Sequence, residues 1–230
     1  RCLRRRRVNS GSDAGARTAT VANIAKNGPN GVDLGYWAED ADPDGVHHPI
    51  LWTSFREDHG WVSGYSSAVP LANSAGHRAF GGVGALWLPI LAMPLGALGA
   101  ARVSRQLGAQ TGLVDFVVGA LSPLTFYGAD QWEHAPALAA ALWALAFLRE
   151  ELSLRQFFAL GLTAGVAVSL RRKVGLLLGV MAMVELWDGD RRRWWLGRIP
   201  HSAAAGASAL AVFVGVNCLD AALIGSTLAQ

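Results

Sequence analysis

The stretch AFGGVGALWLPILAMPLGALGAA, residues 79–101, decides the fold class because it carries no charged side chain. A second uncharged stretch, IPHSAAAGASALAVFVGVNCL, covers residues 199–219. A helix needs about 20 apolar residues to cross a hydrocarbon core about 30 Å thick, and both stretches are long enough. We therefore predict an integral membrane protein rather than a soluble protein with large buried helices.

Shorter apolar segments lie between these two stretches and are separated by charged residues. The chain is 52% hydrophobic and 16% charged, whereas a soluble domain is about a quarter charged. We predict an all-α integral membrane fold: a basic start at 1–7, an external loop region with short helices at 8–78, and a polytopic transmembrane helical bundle at 79–230. Its segments are expected at about 79–101, 109–128, 133–148, 156–170, 174–187 and 202–224.

The segments at 156–170 and 174–187 are short for a bilayer. They either each span it at a tilt or form a re-entrant pair, since irregular backbone is tolerated inside a membrane where protein or a watery cavity covers it. The sequence leaves these two arrangements open.

Arginines between alternate segments indicate the orientation. The loops with Arg102 and Arg105, with Arg149 and Arg155, and at 191–198 fall on one side, and cytoplasmic loops carry the excess of Lys and Arg. Region 8–78 has eight acidic residues against four basic ones, and we predict that it is external. No basic face interleaved with aromatic residues is present, so nucleic acid is not an expected partner.

Asp13 opens the first helical pattern of the external region, SDAGARTATVANIAKN. A carboxylate near the membrane surface can act as a base toward an acceptor hydroxyl or amine. Asp also fills helix N-cap positions well, and on this residue alone the cap is the simpler interpretation.

The stretch SPLTFYGADQWEHAP, residues 122–136, places three ionisable residues at the external edge of an apolar helix. These are Asp130, Glu133 and His134. Ionisable groups at such a depth usually have a partner or a function. An interfacial loop with aromatic anchors is the structural alternative.

The stretch SLRRKVG, residues 169–175, holds three consecutive cations between two apolar segments: Arg171, Arg172 and Lys173. Such residues can bind a phosphate or pyrophosphate, or can simply extend toward the membrane surface. They fall on the predicted external side, against the general bias of cations. A re-entrant pair, an exception for a short loop and an external anion site each explain this placement.

No metal site or disulfide framework is predicted. The histidines of the polar region, among them His47, His48, His59 and His77, lack converging carboxylates or thiols at metal-ligand spacing. Cys2 and Cys218 lie far apart in unlike surroundings.

The order of these pieces resembles the GT-C membrane glycosyltransferases, a superfamily that includes protein O-mannosyltransferases and the aminoarabinose transferase of lipid A. The resemblance runs from about Asp13 to about Trp187. Four stretches carry it: SDAGARTATVANIAKNG, GYSSAVPLANSAGHRAFGG, SPLTFYGADQWEHAPALAAALWALAFL and ALGLTAGVAVSLRRKVGLLLGVMAMVELW. They are similar to an external loop that begins with an Asp, the aromatic stretch leading into the next helix, a short second external loop with its helix, and a broken helix pair with an arginine at the break.

The resemblance implies a membrane enzyme that transfers a sugar, with inversion, from a polyprenyl-phosphate carrier to an external acceptor. By motif position, Asp13 would be the catalytic base. The implied substrate-binding residues are Asp130, Glu133, His134, Arg171, Arg172 and Lys173, with the last three near the lipid phosphate. The lipid phosphate is the leaving group, so no cofactor is implied.

The implied partners are the polyprenyl-phosphate-linked sugar and membrane lipids, and the implied location is the bacterial cytoplasmic (inner) membrane, crossed several times. The sequence does not indicate an oligomeric state, the sugar or the acceptor. Family members have a membrane helix before the first loop, where this chain has RCLRRRR, so we expect a fragment whose upstream frame encodes an apolar helix.

A non-catalytic membrane protein, either a transporter fragment or a lipid-carrier-binding scaffold, is the alternative function. A transporter places its ionisable residues near the bilayer midplane. Most ionisable residues here lie at segment ends, which favours the enzyme.

The arginine pattern predicts on which side of the membrane each loop lies. In a variant with Cys2 and Cys218 replaced by serine, Arg192→Cys should resist an impermeant maleimide added to intact cells, and Trp132→Cys should react with it. Reaction at position 192 together with protection at position 132 would reverse the predicted orientation.

Overall fold

The structure, a computed structural model, describes residues 12–36, 38–44, 54–57, 60–63, 65–109, 116–117, 119, 121, 123–148, 152–187 and 189–224. Several predicted features lie outside these residues: the basic start 1–7, much of the segment 109–128, Arg149, His47, His48 and His59. The side chains of Asp13 and Arg191 are also outside the described part.

The described chain is mostly helical, which confirms the predicted helical class. Its helices are α1 Ser12–Asn27, α2 Ala68–Gly84, α3 Trp87–Gln106, α4 Pro123–Gly128, α5 His134–Leu148, α6 Leu154–Leu170, α7 Arg172–Trp187, α8 Gly189–Leu196 and α9 Ile199–Ile224. Two short strands, β1 Ser54–Glu57 and β2 Gly60–Ser63, pair antiparallel with Ser54 opposite Ser63.

Within the described residues, two helices are long and apolar enough to cross a membrane, Trp87–Gln106 and Ile199–Leu223. The helices at His134–Leu148 and Leu154–Leu170 are apolar but shorter. Length and composition therefore support crossings near both ends of the predicted membrane region. The full polytopic bundle, and the choice between spanning and re-entrant short segments, stay predictions.

The uncharged run at 79–101 is divided between two helices. Gly81 has φ +64° and ψ −146°, a conformation that only glycine adopts readily. α2 ends shortly afterwards at Gly84, and α3 begins at Trp87, whose indole Nε1 donates to the carbonyl of Ala72 at 2.9 Å. An apolar run alone does not indicate this break, because both helices on either side of it are apolar.

The chain divides into two compact units, the first of which comprises residues 1–87, 130–132 and 218–230. Its described core consists of Ile24, Val32 and Val62, with Leu71 and Leu223 packed against them. The α1 helix ends at Asn27, where the turn sequence NGPNG begins. Gly28 follows with φ +78° and donates its N–H to the carbonyl of Ile24, which is the usual way a glycine terminates a helix.

Buried polar contacts hold α2 within this first unit. Asn73 Nδ2 donates to Gln131 Oε1 at 3.1 Å, and Gln131 Nε2 donates to the carbonyl of Ala85 at 2.9 Å. Asp220 Oδ1 accepts the backbone N–H of Ser67, the residue before α2, at 2.8 Å. Buried polar groups are tolerated when they are paired in this way.

The second unit comprises residues 88–129 and 133–217. Its largest core surrounds Phe157, which is fully buried, and is rich in alanine and leucine. Glycines allow the helices to approach closely: a Cβ built on Gly161 of α6 would collide with the carbonyl of Ala205 and the hydroxyl of Ser208 on α9. Small residues at helix contacts are typical of membrane proteins, where van der Waals packing replaces much of the hydrophobic effect between helices.

This packing predicts opposite effects for two helical glycines. Gly161→Ala should destabilise the protein by about 1–3 kcal/mol, the typical penalty of overpacking. Gly179→Ala in α7 is the matched control, because a Cβ there meets nothing within 4 Å, and alanine is the better helix former by about 1 kcal/mol. Thermal unfolding in detergent measures both, and equal melting temperatures for the two variants would contradict the tight contact.

Candidate functional site

Arg171 is the residue at which the helix pair α6 and α7 breaks. Its backbone is extended, with φ −148° and ψ 97°, between the last residue of α6 and the first of α7. Its N–H donates to the carbonyl of Ala167, and its carbonyl accepts the N–H of Val174, both at 2.9 Å. The local sequence SLRRKV has neither Gly nor Pro, so the break has no simple cause in backbone preference.

The guanidinium of Arg171 lies against the start of α5. Its Nη2 is 2.9 Å from His134 Nδ1 and 3.7 Å from Glu133 Oε1. A guanidinium can only donate hydrogen bonds, so His134 Nδ1 must be the acceptor, and the proton of the neutral imidazole is then on Nε2. The contact thus fixes the tautomer of His134.

Neighbouring groups hold His134 and Glu133, the two residues that Arg171 contacts. The His134 ring stacks on Tyr127 of α4, with ring centroids 4.9 Å apart and planes inclined by 15°. Tyr127 in turn packs against a small buried cluster that includes Ala135. Glu133 precedes α5, and its carbonyl accepts the N–H of Ala137 at 2.9 Å. His134 and Glu133 are therefore both held in position at the start of α5.

The two side chains of the Glu133–Arg171 ion pair differ in burial. The Glu133 side chain is 10% exposed and that of Arg171 is 36% exposed. A nearly buried carboxylate requires a positive partner, which Arg171 supplies. Arg171 Nε is also buried, and among the described residues it has no hydrogen-bond acceptor. A buried N–H that makes no hydrogen bond is unfavourable by about 1–3 kcal/mol.

The other two cations of the SLRRKVG stretch begin α7. Arg172 and Lys173 are its first two residues, and both are exposed. Positive side chains at a helix N-terminus are unfavourable because the helix dipole is also positive there. The same end attracts anions through its free backbone N–H groups.

Two further predicted residues belong to the first compact unit. Asp130 is partly exposed, and its Oδ1 accepts the N–H of Gln131 at 2.7 Å. Asp13 is the second residue of α1. The structure brings Glu133, His134 and Arg171 together in the second unit, as the Arg171 cluster, whereas Asp13 and Asp130 belong to the first unit.

Sequence reasoning missed a carboxylate of the region 8–78. Asp33 Oδ1 accepts the N–H groups of Gly35 at 2.8 Å and of Trp61 at 3.0 Å. The Asp-x-Gly spacing is a recognisable turn signal that accounts for the first bond. The second bond depends on the position of the β-hairpin, which local sequence does not reveal. Within the described part of the chain, no three His, Cys, Asp or Glu side chains are grouped as metal ligands would be.

Comparison with known proteins gives one family assignment. The family model described as dolichyl-phosphate-mannose-protein mannosyltransferase matches residues 77–217. This range contains the Arg171 cluster and helices α3 to α8, whereas Asp13 lies outside it. No curated protein and no solved structure matches the chain.

Proposed function

This chain belongs to the dolichyl-phosphate-mannose-protein mannosyltransferase family, whose members are GT-C type membrane glycosyltransferases, and we propose that it transfers a sugar from a polyprenyl-phosphate carrier to an external acceptor. The observation that carries this proposal is the contact of Arg171 with Glu133 and His134 at the helix break. We place the enzyme in the bacterial inner membrane as a multi-pass protein.

The Arg171 cluster suits the phosphate of a carrier lipid. Arginine binds phosphate oxygens through its planar fork of N–H donors, and the Arg171 side chain is 36% exposed. Arg172 and Lys173 add positive charge at the N-terminus of α7, where a bound anion would offset the unfavourable interaction with the helix dipole. In the proposed site, Arg171 contacts the phosphate directly and the two neighbours raise its local concentration.

In the proposed reaction, the acceptor oxygen attacks the anomeric carbon while the bond from that carbon to the phosphate oxygen breaks. Negative charge then grows on the leaving polyprenyl phosphate. A cation already in position stabilises this charge without reorganisation during the reaction. His134, whose Nδ1 lies 2.9 Å from Arg171 Nη2, would lie beside the phosphate or the sugar in the proposed site.

Glu133 balances the charge of Arg171. At 3.7 Å the two groups form an ion pair without a close hydrogen bond. An incoming phosphate would therefore compete with this carboxylate and with His134 Nδ1, and not with a bidentate carboxylate contact. Asp130 would act toward the acceptor or donor from its own loop, as its motif position implies.

Loss of the Arg171 charge should impair transfer selectively. Arg171→Gln is expected to lower kcat/KM by about 10²–10³-fold, the usual effect of removing one donor that stabilises transition-state charge. Arg171→Lys should recover part of the rate, because lysine keeps the charge but lacks the planar fork.

The assay is sugar transfer from a polyprenyl-phosphate mannose donor by protein in vesicles. Arg105→Gln, which removes an exposed arginine at the end of α3, is the control, and equal losses at both positions would refute the proposed role.

The base is proposed to be Asp13, from its position at the start of α1. Asp13→Asn should lower the transfer rate by about 10²–10⁴-fold at unchanged membrane levels, because the amide cannot take the acceptor proton. A purely structural role in the first turn of α1 gives a different expectation, since Asn is also well accepted near a helix N-terminus. Near-equal rates for the variant and the wild type would exclude Asp13 as the base and direct the search to Asp130 and Glu133.

A further inference from the structure

An apolar cavity of about 310 Å³ lies among α5 to α9 of the second unit. Its walls include Leu148, Gly161, Ala164, Ala182, Trp195 and Gly206. Apart from the indole nitrogen of Trp195, the described side chains that line it are hydrocarbon. Its volume falls within the range of about 300–1,000 Å³ that is usual for ligand sites. An apolar cavity holds water poorly and favours an apolar occupant.

The cavity is distant from the Arg171 cluster along the helices. Its lining residues on α7 run from Leu178 to Leu186, which places them roughly 9–21 Å beyond Arg172 at 1.5 Å per residue. On α9 it touches Ala205, Gly206 and Ala209, in the half nearer to α8, and on α6 it touches Leu160 to Ala164, near the middle of the helix. The cavity therefore lies toward the opposite end of the unit, beside the arginine- and tryptophan-rich helix.

That end carries aromatic and cationic groups suited to a lipid head-group region. Trp195 makes edge contacts with Phe157 and Trp194, each with ring centroids 5.3 Å apart. The Arg198 guanidinium carbon lies 4.6 Å from the Trp194 ring centroid. Tryptophan and arginine are enriched where a membrane protein meets the interface.

We propose that this cavity binds one acyl chain of an anionic glycerophospholipid. The phosphate of the lipid lies near Arg198 and the exposed arginines of α8, Arg192 and Arg193. A basic surface of this kind attracts anionic lipids by about 1 kcal/mol per residue. In the proposed function the phosphate of a polyprenyl carrier lies at the other end of the unit, so that carrier is not the lipid expected here.

The test measures the lipid that stays with the purified full chain. Gly206→Leu should fill the cavity without a backbone clash, because a Cβ at Gly206 meets nothing within 4 Å. Gly215→Leu is the matched control on the same helix, also with open space around its Cβ, and it does not line the cavity. Mass spectrometry of protein in mild detergent should find retained phospholipid in the wild type and in Gly215→Leu, and its loss in Gly206→Leu.

A second set of experiments tests the head-group preference. It also includes a second cavity-filling variant, in case Gly206→Leu does not fold. Ala182→Leu fills the cavity from α7 and should also lose the lipid. Delipidated wild type should take up phosphatidylglycerol in preference to phosphatidylcholine from mixed vesicles, and the double variant Arg192→Gln/Arg193→Gln should lose that preference. Unchanged retention in both cavity-filling variants, a retained polyprenyl phosphate in place of phospholipid, or uptake without head-group preference would each overturn the assignment. None of these readouts involves sugar transfer, so they stand apart from the enzymatic proposal.

Discussion

The contact of the Arg171 guanidinium with the start of α5 is the constraint on which the second unit depends. It joins the break between α6 and α7 to Glu133 and His134, so three helix ends meet at one charged group. Glu133 is nearly buried, and without a cation it would carry an uncompensated charge, which is strongly unfavourable. The same contact fixes the ring of His134, so stability and the proposed chemistry rest on one set of atoms.

Small side chains allow α6 and α9 of the same unit to approach closely. Gly161 and Gly165 of α6 pack so closely on α9 that a Cβ at either would meet atoms of Ala205 or Ala209. Helices that approach this closely have few arrangements open to them, because packed interiors do not deform continuously. The result is a scaffold with different chemistry at its two ends, cationic and polar at Arg171, and apolar beside the aromatic and arginine residues of α8.

The sequence indicated much of the helical framework but not how its pieces combine. Apolar runs bounded by charges located the regions of α5, α6, α7 and α9, because a helix that meets lipid or helix neighbours must be apolar over its length. The stretch at 122–136 suggested a site because it groups three ionisable residues at the edge of an apolar helix. The stretch at 169–175 suggested one because it groups three cations between two apolar segments. That Arg171 contacts Glu133 and His134 follows from the packing of α5 on α6, which depends on many small contacts spread along the chain. The division of 79–101 between Gly84 and Trp87, and the bond from Ser67 to Asp220, are likewise products of tertiary structure.

The proposed phosphate site is tested most directly by equilibrium binding, without any chemical step. A short-chain polyprenyl phosphate that carries no sugar would be titrated against the wild type, Arg171→Gln and the control Arg105→Gln in nanodiscs, with the matching polyprenol as competitor. Our account predicts that Arg171→Gln weakens binding by about 10-fold or more, as expected for loss of a charge-assisted hydrogen bond worth about 1.5–3 kcal/mol, while Arg105→Gln and the uncharged polyprenol change little. Equal affinity of wild type and Arg171→Gln would contradict the assignment of the phosphate to this helix break.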